Sequence, residues 1–155
     1  MEKPGCGESQ IVMPELPDVE TFRRYLQSRV LKQTIRRIAI PSPEMVRGVS
    51  AKRLQSRLQG SRFSSTQRYG KYLFLEITQG GWLLLHFGMT GYPVVGKQDA
   101  RGKHSRLGID FANGQSLAFH DPRKFGQIGL IKDVQSFIES RRLGPDRVTR
   151  KPRGL

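Results

Sequence analysis

Two adjacent residues, Pro14 and Glu15, carry the most distinctive chemistry in the chain. They lie in the octapeptide Met13-Pro14-Glu15-Leu16-Pro17-Asp18-Val19-Glu20. A proline at a free N-terminus is a secondary amine. An α-amine has a pKa of about 7.7–8.0, so a useful fraction is unprotonated near neutral pH. Attack by such an amine on an electrophilic carbon yields an iminium ion with a permanent positive charge. That charge is an electron sink and acidifies the neighbouring C–H. Inside a chain the same nitrogen belongs to a tertiary amide, whose lone pair is delocalised into the carbonyl, and it cannot attack. The carboxyl group of Glu15 could act as a general acid beside it, given a raised pKa or a dry site. The plainer reading of Pro14-Glu15-Leu16-Pro17 is a rigid turn before a helix.

Further along, four segments combine unusual residue types. Lys71 follows Gly70 at the start of an apolar run, Tyr72-Leu73-Phe74-Leu75. Met89 sits in His86-Phe87-Gly88-Met89-Thr90-Gly91, where flanking glycines favour a loop over core packing. His86 reads as a structural histidine. Asp121-Pro122-Arg123-Lys124-Phe125-Gly126 places a cation and an aromatic ring just after an Asp-Pro turn. Lys103-His104-Ser105-Arg106 is a short basic stretch. Taken singly, each has a bland alternative: a solvated turn lysine, a buried methionine, an ordinary tight turn.

Their order and spacing resemble the N-terminal catalytic domain of the formamidopyrimidine-DNA glycosylase / endonuclease VIII family over about residues 13–146. The resemblance implies that Pro14 is the nucleophile, attacking the sugar of a damaged nucleotide. It implies that Glu15 is the general acid and that Lys71 takes part in proton transfer during β-elimination of the 3′ phosphate. The family's His-Leu-Gly-Met-Ser/Thr-Gly segment is matched with Phe87 in place of Leu. Met89 would then fill the gap left by a flipped-out nucleotide, a role suited to an unbranched, polarizable side chain. Arg123 and Phe125 would enter the helix from the Asp121 loop. The arginine would hydrogen-bond the orphaned base and the ring would stack at the opened step, offsetting the few kcal/mol of base extrusion. His104 would contact a phosphate. Ser105 and Arg106 depart from the family's Lys-His-Asp-His pattern, and Arg106 could supply another phosphate contact.

The composition agrees with a polyanionic partner. Lys and Arg total 27 against 13 Asp and Glu, a net charge of +14. Such an excess favours nucleic acid over an acidic membrane surface. The single cysteine, Cys6, excludes an intrachain disulfide and a multi-cysteine zinc site. No apolar run approaches the ~20 residues of a membrane span. The expectations are damaged double-stranded DNA as partner, a monomer, no metal, no cofactor and no membrane, in a bacterial-type cytoplasm. Oxidised purines such as formamidopyrimidines and 8-oxoguanine are the substrate class the resemblance implies. A basic, non-catalytic DNA-binding module is the alternative, and a cationic RNA-associated β protein is supported by charge alone.

The elements that must position these residues are mostly strands. A helix is expected over Asp18–Val30, with Val19, Phe22, Leu26 and Val30 near one face. A β-rich piece covers Thr34–Ile40, and Ser50 N-caps a second helix through Leu58 with Gly60 as its stop. Strands follow at Arg62–Tyr69, Tyr72–Ile77, Trp82–Phe87, Leu107–Phe111, Ser116–Phe119 and Ile128–Ile131. Gly80-Gly81 and Asn113-Gly114 mark hairpins. A last helix is expected over Asp133–Arg141. The fold class is mainly β with flanking helices: the antiparallel two-layer β-sandwich of the glycosylase N-terminal domain type. Residues 1–12 read as a disordered extension or a mis-assigned start, with Met13 the expected initiator. Residues 13–142 form the catalytic domain. Residues 143–155 read as a basic truncated linker, without the family's helix–two-turn–helix and zinc-finger modules.

Overall fold

A computed structural model of the protein describes residues 16–97 and 104–141. Pro14, Glu15, the segment 1–12 and the tail from 142 lie outside the described residues. The elements run α1 (Leu16–Arg29), β1 (Ile35–Ala39), a 3₁₀ turn (Pro43–Met45), β2 (Val46–Arg47), α2 (Ala51–Leu58), β3 (Phe63–Tyr69), β4 (Tyr72–Ile77) and β5 (Trp82–His86). They continue with β6 (Tyr92–Lys97), β7 (Ser105–Phe111), β8 (Gln115–His120), β9 (Gln127–Ile131) and α3 (Val134–Arg141).

The strands form two sheets, ordered β1-β7-β8-β6 and β2-β9-β5-β4-β3. Pairing is antiparallel throughout except between the short β2 and β9, which run parallel with Val46 opposite Ile128. The expected sandwich is therefore present, with one mixed edge. Alternate residues of both sheets meet in a single core. Ile35 and Ile38, Leu107, Ile109 and Phe111, and Leu117 and Phe119 face Leu73, Leu75 and Ile77, Leu83 and Leu85, and Ile128.

β4 and β5 read as continuous apolar runs because the second sheet is covered on both faces. Leu73 and Leu75 point inward, whereas Phe74 and Leu84 point outward into a smaller cluster beneath α3 with Val134, Phe137 and Ile138. Tyr72 and Phe137 meet edge to face at 4.9 Å.

α1 closes the open side between the two edge strands β3 and β6. Val19, Leu26 and Val30 form its buried stripe. Its polar flanks reach both edges. Arg23 donates to Thr66 on β3 at 3.2 Å, and the Tyr25 hydroxyl accepts from the Val95 N–H of β6 at 2.8 Å. α2 starts as expected: Ser50 Oγ accepts from the Arg53 N–H at 3.1 Å.

Register decides which loops share an end of the molecule. Tyr72 lies opposite His86 and His86 opposite Gln127. The β3–β4 turn, the β5–β6 loop and the β8–β9 loop therefore gather at one pole. The N-terminal half of α1 is tied to the same pole by Glu20, whose carboxylate meets Arg68 near the end of β3 at 3.1 Å. The Gly80-Gly81 and Asn113-Gly114 turns lie at the other pole.

Candidate functional site

The shared pole holds every described residue to which a functional role was assigned from the sequence. Lys71 is exposed in the β3–β4 turn, where Gly70 adopts φ +58° to reverse the chain. Its charge is felt by His86, one strand away. Burial first, then the positive charges of Lys71 and Arg141, lowers the His86 pKa. The Gly88 N–H donates to His86 Nδ1 at 3.1 Å. That nitrogen therefore carries no proton, and the imidazole is the neutral Nε2–H form. His86 is a structural group that shapes the start of the β5–β6 loop.

Met89 and Phe125 are the exposed large hydrophobic residues of the described chain, at 53% and 50%. They occupy different loops, yet the loops touch backbone to backbone. A Cβ on Gly88 would lie 2.7 Å from the Phe125 carbonyl carbon, and one on Gly126 would strike the His86 carbonyl oxygen. Only glycine permits this approach. Gly88 also needs its freedom for φ +61°. The Arg123 guanidinium lies over the Phe125 ring at 4.8 Å, so cation and ring form one unit.

Asp121 anchors the β8–β9 loop and is wholly buried. Its Oδ1 accepts from Thr90 Oγ1 at 2.6 Å and from the Lys124 N–H at 3.1 Å. Its Oδ2 accepts from the Gly126 N–H at 2.8 Å. Arg106 supports the same loop from behind. It donates to the carbonyls of Asp121 at 2.9 Å and Pro122 at 3.2 Å, and to Ser42 Oγ at 3.3 Å. Arg106 is thereby tied to the loop it supports while staying partly exposed. Lys124 adopts φ +59° and pairs with Glu44 at 2.8 Å. That partner holds the Glu44 carboxyl below its usual range.

His104 is half-buried, and its carbonyl accepts from the Asp121 N–H at 3.0 Å. Beside it His120 stacks on Tyr92 at 5.3 Å. Burial, and then the charge of His104, lowers the His120 pKa. The Tyr92 hydroxyl is pushed up by burial. Pro14 and Glu15 lie outside the described residues, but the helix that follows them begins at this pole. Among the described residues no group of three or more His, Cys, Asp or Glu is placed to hold a metal ion. No helix among them is long and apolar enough to cross a membrane.

Residues 13–128 match the model of the formamidopyrimidine-DNA glycosylase N-terminal domain. The chain belongs to the formamidopyrimidine-DNA glycosylase family. It is 41% identical over 123 residues to the formamidopyrimidine-DNA glycosylase of Geobacter metallireducens, covering 79% of this chain and 45% of that one. The glycosylase of Pelobacter propionicus is 38% identical over 122 residues, covering 78% and 45%. The Lactococcus lactis Fpg in complex with abasic-site-containing DNA superposes with a TM-score of 0.79 at 36% identity, covering 85% of this chain and 50% of that one. Its complex with FAPY-dG-containing DNA gives 0.78 at 36% identity, covering 84% and 50%. The chain thus spans about half the length of the family members it matches.

Thr90, Glu44, Ser42 and the anchoring role of Asp121 were not foreseen as parts of this pole. Their signal is weak in a sequence. A carboxylate in an Asp-Pro turn ordinarily bonds its own loop, and nothing local announces a partner thirty-one residues away.

Proposed function

We propose that this chain carries the catalytic half of a DNA glycosylase and abasic-site lyase that acts on oxidised purines. The observation that carries the proposal is the gathering, at one pole, of the start of α1, Lys71 and the two loops bearing Met89, Arg123 and Phe125. Pro14, two residues before α1, is the nucleophile when it is the first residue. Its nitrogen bonds to the anomeric carbon, the bond from that carbon to the base breaks, and the base departs. Glu15 supplies the proton that opens the sugar ring or leaves with the base, and the product is an iminium ion. Loss of a proton from the adjacent sugar carbon then expels the 3′ phosphate, with Lys71 aiding the transfer. Met89, Arg123 and Phe125 occupy the vacated step of the duplex and His104 meets a phosphate. The names of the relatives support the glycosylase class, and the DNA complexes of the Lactococcus protein support the lesion class. The site works as a monomer on damaged duplex, in the compartment of the bacterial chromosome.

Borohydride trapping on abasic-site duplex tests this. A preparation beginning at Pro14 should form a covalent adduct, whereas the same chain with residues 1–13 attached should form none. Failure of the Pro14 form to trap would sink the catalytic reading. The net charge of +14 favours a second one, a basic DNA-binding module. It predicts salt-sensitive duplex binding in both preparations without strand cleavage.

A further inference from the structure

The two loops that carry the exposed hydrophobic residues are not independent. Thr90 follows Met89 directly, and its hydroxyl donates at 2.6 Å to Asp121, the residue that opens the other loop. The same carboxylate holds the Lys124 and Gly126 amides, on either side of Phe125. Both oxygens of a wholly buried carboxylate are therefore engaged, and its three donors come from both loops. All three hydrogen bonds lie within ordinary hydrogen-bond distance, at 2.6, 3.1 and 2.8 Å. The backbone contact of Gly88 with Phe125 and Gly126 removes slack between the loops. From the far side, Arg106 fixes the carbonyls of Asp121 and Pro122.

We propose that Asp121 is a positioning residue which, through Thr90, locks the Met89 loop to the Arg123–Phe125 loop as one rigid double wedge. The two side chains then enter a distorted duplex together, at a fixed separation. The proposal rests on the reading of Met89, Arg123 and Phe125 as DNA-facing groups. Its consequence is energetic coupling. A wedge that keeps its neighbour in place loses less when both are removed than two separate wedges would. The hydrogen-bonded part of the coupling passes through one hydroxyl, beside the backbone contact at Gly88.

Thr90→Val removes that hydroxyl and keeps the branched shape, leaving Asp121 bonded to both amides of its own loop. The full chain would be titrated by fluorescence anisotropy with a duplex containing a tetrahydrofuran abasic analogue and with the same duplex undamaged. Thr90→Val should weaken abasic-duplex binding by about tenfold, because the cost of ordering the two loops then falls on binding, and leave undamaged-duplex binding within about twofold. In the parent protein, the losses from Met89→Ala and Phe125→Ala should combine to less than their product. In the Thr90→Val background that shortfall should shrink. Equal weakening on both duplexes, or unchanged non-additivity in that background, overturns the proposal.

A parent protein with no preference for the abasic duplex would overturn the wedge reading instead. Amide exchange in the free protein judges the latch separately. Thr90→Val should speed exchange at Gly88 and Gly91 and at Lys124 and Gly126 together. Faster exchange in one loop alone overturns the coupling.

Discussion

Strand β8 is entered and left through two connections of opposite character. The Asn113-Gly114 turn that leads into it is self-contained. Asn113 Oδ1 accepts from the Gln115 N–H at 3.0 Å, the Gly114 N–H donates to Phe111 at 3.1 Å, and a Cβ on Gly114 would meet nothing within 4 Å. The Asp121–Gly126 loop that leaves it is held by distant residues: Thr90, Glu44, and Ser42 through Arg106. The first connection is a product of local backbone preference and points at solvent. The second is rigid because the rest of the fold grips it, and it carries an arginine and an exposed phenyl ring. Rigidity at a surface loop has a reason when that loop must hold an apolar group outward against its tendency to fold back.

This contrast can be broken at several points. Asp121→Ala should do most damage, leaving two amides and a hydroxyl without their acceptor. A loss of about 3 kcal/mol or more in unfolding free energy is expected in denaturant titration. Gly126→Ala should follow at about 2–3 kcal/mol, because its methyl group must displace the His86 backbone and not a flexible side chain. Gly114→Ala meets open space and should cost only the strain of its φ of +89°, about 1–2 kcal/mol. A Gly114 variant as damaging as the Gly126 one would erase the distinction between the two loops. Glu44→Gln should leave stability nearly unchanged and free Lys124 for phosphate. Duplex affinity should then rise less than tenfold, with the salt slope steeper by about 0.9.

A last measurement concerns the seat of α1. Glu20 accepts hydrogen bonds from Arg23, Arg68 and Arg24, and the Arg23 bond does most to hold its carboxyl at about 2. A carboxyl depressed on folding contributes stability that is present above its ordinary value of 4.5 and lost as pH falls toward 2. Glu20→Gln should therefore lower the melting temperature at pH 7, have little effect near pH 2, and so flatten the fall between about pH 4.5 and 2.

Where local chemistry decides the structure, the residues announced it. Ser50 caps α2, Tyr72–Ile77 is β4, and the two glycine-containing turns sit where their dipeptides placed them. The hidden elements are those that depend on a neighbour. β6 contains Pro93, which argues against a central strand, and it is tolerated because β6 is an edge. β2 is two residues long and exists through its parallel pairing with β9. The start of α1 lies two residues earlier than the apolar pattern alone indicates, at Leu16. At the site, the side chains facing outward were legible from their motifs. The groups that hold them from behind were not, because Thr90, Asp121, Arg106 and Ser42 meet only after both sheets have formed.

The glycine-to-backbone contact between the two loops also limits how such a protein can diversify. Surface loops ordinarily vary by gaining and losing residues. Here a residue added to either loop would drive Gly88 or Gly126 out of a fit that tolerates no Cβ. Length change in one would demand a matching change in the other. Variation at this pole is therefore channelled into exchanges of side chain at positions 89, 123 and 125, whose backbone frame is inherited as a unit.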